Sequence, residues 1–141
     1  MKASSLYRIA AVLLVLFAIG HMLSFNQIDP AWGVDALLAS MRSIHFEVQG
    51  FNRSYWDFFL AAGFTVGVYY VFAAILAWQL SGLSVATLAQ LRGTTWAFAI
   101  SFAAIAAVSC RYLFIIPIAF SALIAICLTA AAWLSGKQLA S

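Results

Sequence analysis

Charged side chains are scarce in this sequence, and that scarcity excludes a soluble protein. Asp, Glu, Lys and Arg make up 8% of the 141 residues, against about a quarter in soluble domains. Hydrophobic residues make up 66%, and the mean hydropathy is +1.04. We therefore expect an integral membrane protein with one domain over residues 1–141.

Cysteines and basic runs are also scarce. Cys110 and Cys127 are too few and too far apart for a disulfide framework or a cysteine-rich metal site, and we expect no metal and no cofactor. The seven Lys and Arg residues stand singly along the chain, which argues against a nucleic-acid partner.

Four apolar runs are long enough to cross a bilayer, which needs about 20 apolar residues. They predict spans at about 9–25, 55–80, 94–110 and 113–134. The predicted fold is all-α: a four-helix transmembrane bundle. Counting Lys and Arg by side weakly favours cytoplasmic termini in a bacterial inner membrane.

The connection between the first two spans holds a shorter pattern. Leu37, Met41, Ile44 and Val48 recur at helical spacing, so we predict an amphipathic helix over about 35–48 that lies on the bilayer or caps the bundle. A turn at Gly50 follows, and a Ser-x-x-Asp capping box then predicts the start of the second span.

Polar groups gather at one predicted membrane face, in "HFEVQGFNRSYWDFF" and around it. Asp57 is either a helix-capping carboxylate or the acid of a pocket. Arg111 is a headgroup anchor or a pocket residue, and His21 is a hydrogen-bonded interfacial side chain or a proton carrier. On a helix, His45 and Glu47 point about 200° apart, so they become metal co-ligands only if their segment is extended.

The second predicted span combines small and aromatic residues. Gly63-x-x-x-Gly67 is a small-residue surface that favours helix packing, within the bundle or in a homodimer. Trp56, Tyr69 and Tyr70 belong to a dense aromatic set on the same helix, as expected for a hydrophobic pocket or a packed core.

Three segments together suggest a family: the short first span with His21, "HFEVQGFNRSYWDFFLAAGF" at the entry to the second span, and "CRYLFIIPI" at the fourth. In layout the chain resembles small bacterial four-helix membrane proteins of the broad DoxX-like kind. That family has no agreed activity, so the resemblance assigns no functional residue.

The leading hypothesis is non-catalytic binding of a lipid or another hydrophobic small molecule in an aromatic pocket near the polar cap. Its candidate contacts are His21, Trp56, Asp57, Tyr69, Tyr70 and Arg111. One alternative is a membrane enzyme that uses His21 with a carboxylate on a lipid-like substrate. Another is a structural subunit that docks through Gly63 and Gly67, to itself or to a larger membrane complex.

Overall fold

Helices make up most of the chain, and a short hairpin interrupts them. The computed structural model describes residues 2–137, so residues 1 and 138–141 of the expected domain lie outside the description. The helices are α1 (Ala3–Ser24), α2 (Asp35–Ser43), α3 (Tyr55–Ser81), α4 (Val85–Gln90), α5 (Arg92–Tyr112) and α6 (Ile115–Lys137). A 3₁₀ turn at Pro30–Trp32 precedes α2, and strands β1 (His45–Val48) and β2 (Phe51–Ser54) precede α3.

Four of these helices, α1, α3, α5 and α6, are long and apolar enough to cross a membrane, judged by length and composition. This confirms the prediction of a mainly helical, multi-pass membrane protein. The largest difference in bounds is that α1 begins at Ala3, before the predicted start at Ile9. Leu6 and Tyr7, which precede the predicted start, are already buried in the core. Arg8, which follows them in the sequence, is exposed.

The chain contains two compact units. The first, which we call the bundle unit, comprises residues 2–17 and 70–137 of the described chain. Its core is rich in buried alanines, which allow helices to approach closely. The core combines one face each of α1, α3, α5 and α6: Leu6, Tyr7, Ala10 and Leu14; Ala73, Ala74 and Ala77; Phe98, Ala99 and Phe102; and Ile124, Leu128 and Ala131.

The second unit, which we call the hairpin unit, comprises residues 18–69. It contains the end of α1, all of α2, both strands and the beginning of α3. The strands pair antiparallel, with His45 opposite Ser54 and Val48 opposite Phe51. Gln49 and Gly50 form the two-residue loop with positive φ angles of 53° and 83°, as the tight turns that match strand twist require.

The hairpin corrects the predicted amphipathic helix over 35–48. The helix ends at Ser43, and Ile44 is extended, with φ −81° and ψ 112°. The following residues alternate between apolar and polar, a period of two that fits a strand. Phe46, the half-buried member of β1, packs against the rings of Tyr55 and Phe58 on α3. That contact with another element favours strand over helix here.

Candidate functional site

His21 forms a link between α1 and α3 within the hairpin unit. Its Nε2 lies 2.9 Å from the carbonyl oxygen of Gly63. A carbonyl only accepts, so this hydrogen bond requires the proton on Nε2. The half-buried ring also stacks on Phe25, with centroids 5.2 Å apart and an interplanar angle of 20°. These two contacts fix the orientation of the His21 ring.

Gly63 lies against the side chain of Phe25, directly after α1, and Gly67 lies against that of Met22, near the end of α1. A Cβ atom on Gly63 would overlap the ring of Phe25, and one on Gly67 would overlap the sulfur of Met22. Glycine at these two positions lets the end of α1 approach α3 closely. The small-residue surface of α3 is thus in contact with the chain's own first helix.

A row of rings continues from His21. Phe25 lies 6.1 Å from Phe59, and Phe59 stacks on Trp56 at 5.1 Å, both measured between centroids. The guanidinium carbon of Arg42 lies 4.3 Å from the centre of the Trp56 ring, within the range of a cation–π interaction. We call these five side chains, His21, Phe25, Phe59, Trp56 and Arg42, the aromatic row.

The aromatic row is partly open at the molecular surface. Phe59 is 37% exposed, and Trp56 and Phe25 are half-buried. Phe64, which meets Phe25 edge-on at 5.2 Å, is 47% exposed. The row therefore exposes part of its apolar ring surface along its length and carries the guanidinium donors of Arg42 at its end.

Asp57 acts in the capping box that the sequence predicts. Its Oδ2 accepts hydrogen bonds from the backbone N–H of Ser54 at 2.8 Å and from the Ser54 hydroxyl at 3.0 Å. The Ser54 hydroxyl in turn accepts from the backbone N–H of Asp57 at 3.3 Å. The reciprocal pair fixes the point at which β2 ends and α3 begins, which confirms the predicted helix start.

The other candidate residues lie elsewhere. Tyr69, the last residue of the hairpin unit, is 67% exposed. Tyr70 belongs to the bundle unit and packs against Phe17 at 4.5 Å and Phe102 at 6.0 Å. Arg111, also in the bundle unit, is exposed, and its guanidinium lies 5.3 Å from the ring of Tyr112. Of the candidates, the structure links His21 and Trp56 through a continuous set of rings.

His45 and Glu47 lie on a strand and not on a helix, so the expectation that they point apart is wrong. Residues two apart on a strand project from the same side. Both are exposed, and the ring Nδ1 of His45 donates to the carbonyl of Ser43 at 3.0 Å. Across residues 2–137 no group of three or more His, Cys, Asp or Glu side chains could hold a metal ion.

Sequence reasoning missed Arg42, Phe25 and Phe59 as members of the row. Two spacings do carry a signal: Phe25 follows His21 by four residues and Phe59 follows Trp56 by three, which places each pair on one helix face. The position of Arg42 over Trp56 depends on how α2 packs, and no local pattern indicates it.

Comparison with known proteins found no match to this chain among protein-family models, curated proteins or solved structures.

Proposed function

We propose that this protein is a non-catalytic, multi-pass protein of the bacterial inner membrane that binds a lipid or a similar hydrophobic small molecule. The site is the aromatic row. We place the protein among the small, broadly DoxX-like four-helix membrane proteins, with both termini in the cytoplasm. The observation that carries the proposal is the continuity of the row from His21 to Arg42.

The chemistry of the row favours an amphiphile. Ring faces bind hydrocarbon, since they are apolar and lose little conformational freedom on contact. The guanidinium of Arg42 presents donors to a polar or anionic group, and it is held over Trp56 at the end of the row. An amphiphile with its chain along the rings and its polar group at Arg42 matches both features.

The two alternatives have less support. The Nε2 atom of His21 is engaged by the Gly63 carbonyl, and Oδ2 of Asp57 is engaged by Ser54, so a catalytic pair would have to break these bonds. Docking to a second chain through Gly63 and Gly67 would compete with Phe25 and Met22, which already lie there.

Native mass spectrometry of the full chain in mild detergent tests the proposal. We expect a specific bound molecule on the wild type that is lost from Trp56→Leu and Arg42→Gln. The matched control is Trp78→Leu, which removes a tryptophan that is 60% exposed on the same helix, within the bundle unit. The control should retain the molecule. If the wild type, Trp56→Leu and Trp78→Leu all carry the same amount of bulk phospholipid and no specific molecule, the proposal is refuted.

A further inference from the structure

The bundle unit contains a buried polar cluster that the proposed function does not use. Tyr7 on α1, Thr95 on α5 and Ser135 on α6 are 0%, 1% and 2% exposed. Thr95 donates its hydroxyl to the carbonyl of Arg92 at 3.0 Å, and Ser135 donates to the carbonyl of Ala131 at 2.8 Å. Both oxygens therefore keep lone pairs for a further donor.

The Tyr7 hydroxyl lies beside the Thr95 and Ser135 side chains. Within residues 2–137, however, its oxygen forms no well-aligned hydrogen bond. A buried polar atom without a partner is costly, so native proteins usually satisfy it with protein, water or ligand. Its two neighbours, Thr95 and Ser135, also reach the wall of a cavity.

A cavity adjoins the cluster. It has a volume of about 100 Å³, and its wall includes Arg92, Thr95, Ser135 and Gly136, together with Leu88 and Ala132. One water needs about 10–15 Å³ of such volume. The cavity therefore has room for several waters or for a small polar headgroup.

The charge around this cavity favours an anion. All four acids of the chain lie between Asp29 and Asp57, outside the bundle unit, and Arg92 lines the cavity. Arg92 is the first residue of the 21-residue helix α5. The positive end of the helix dipole adds to its charge there.

A hydrocarbon-sized groove lies on the same helix as Ser135. It has a volume of about 400 Å³ and runs along α6 past Ala125, Ile126, Thr129, Ala130 and Trp133. The ammonium of Lys137 lies 4.0 Å from the centre of the Trp133 ring, at the end of this groove. An apolar groove that ends beside a cation favours a lipid over a soluble ion.

We propose that the cavity binds the headgroup of an anionic phospholipid that carries hydroxyl groups, such as a phosphoglycerol headgroup. Arg92 pairs with the phosphate, because guanidinium and phosphate form charge-assisted hydrogen bonds. Headgroup hydroxyls donate to the lone pairs of Thr95 and Ser135, which line the cavity. One acyl chain follows the groove on α6.

The test is a titration of the delipidated full chain in detergent with phosphatidylglycerol, followed by native mass spectrometry, with phosphatidylcholine as reference lipid. We expect phosphatidylglycerol to bind at least about fivefold more tightly. Arg92→Gln should remove this preference, and the nearly isosteric Thr95→Val should weaken it. The matched control is Arg8→Gln, which removes the same charge from an exposed arginine of α1 that does not line the cavity.

Equal binding of the two lipids to the wild type would overturn this proposal. So would an equal loss of the preference for phosphatidylglycerol in Arg8→Gln and Arg92→Gln, because that would indicate a general electrostatic effect. A second titration adds soluble glycerol 3-phosphate as competitor. Arg92-dependent displacement of the lipid supports recognition by the headgroup alone. Arg92-dependent lipid binding without displacement supports recognition that also needs the acyl chain. Thermal melting of each variant shows whether it remains folded.

Discussion

The Nε2 atom of His21 lies 2.9 Å from the carbonyl oxygen of Gly63. This contact joins the end of α1 to α3 in the hairpin unit and orients the first ring of the aromatic row. An interhelical hydrogen bond of this kind in a membrane protein contributes about 0.6–2 kcal/mol.

His21→Ala should therefore lower the free energy of unfolding by about that amount. His21→Gln, whose amide can donate in place of Nε2, should recover part of the loss. Thermal unfolding in detergent measures both. The control is His45→Ala, because His45 is exposed on β1 and its loss should change stability by less than about 0.5 kcal/mol. Equal losses from the two alanine variants would show that the His21 contact has no special role.

Gly63→Ala should destabilise the chain by about 1–3 kcal/mol, because the new methyl group would overlap the ring of Phe25. Gly67→Ala should cost less, since the flexible Met22 side chain can move aside. Gly20 on α1 is the matched control: nothing lies within 4 Å of a Cβ there. Gly20→Ala should be neutral or stabilising by up to about 1 kcal/mol. If Gly63→Ala melts at the same temperature as Gly20→Ala, Phe25 does not pack against α3 at Gly63.

The hairpin turn gives a further prediction. Gly50 has a φ angle of 83°, so Gly50→Ala should cost about 1–2 kcal/mol. Gln49, at 53°, occupies the position where such turns prefer asparagine, and Gln49→Asn should be slightly stabilising. Limited proteolysis of the hairpin measures local opening. Faster cleavage of Gly50→Ala with slower cleavage of Gln49→Asn is the expected pair, and unchanged cleavage of both would argue against the turn.

The capping box predicts that Ser54 and Asp57 act together. Ser54→Ala removes the hydroxyl that bonds to Asp57 in both directions and should cost about 0.5–2 kcal/mol, whereas Ser54→Thr should retain most of the stability. In a double-mutant cycle, Asp57→Asn added to Ser54→Ala should cost less than Asp57→Asn alone. Strictly additive losses would show that Asp57 acts elsewhere.

The sequence predicts the four long helices and the start of α3, because both depend on local patterns. Apolar run length indicates the helices, and the Ser54-x-x-Asp57 spacing indicates the cap. The hairpin escapes prediction because Met41, Ile44 and Val48 also fit a helical period. What decides between the two is the packing of Phe46 on Tyr55 and Phe58, a contact between separate elements.

In the candidate site too, local patterns indicate some residues, whereas contacts between separate elements determine how they are connected. His21 and Trp56 stand out in the sequence, since one is a polar ring in an apolar run and the other an aromatic residue at a helix start. Their connection through Phe25 and Phe59, and the placement of Arg42 over Trp56, depend on tertiary packing. No periodicity along the chain encodes these distances.

Binding along the aromatic row is tested most directly by the fluorescence of Trp56. A variant that keeps Trp56 and replaces the other four tryptophans with phenylalanine is titrated with brominated bacterial total lipid, which quenches tryptophan on contact. A second variant keeps only Trp78 as the reference for bulk lipid. We predict saturable quenching of Trp56 at low lipid, abolished by Arg42→Gln, and gradual quenching of Trp78. Identical curves for Trp56 and Trp78 would contradict a lipid site on the aromatic row.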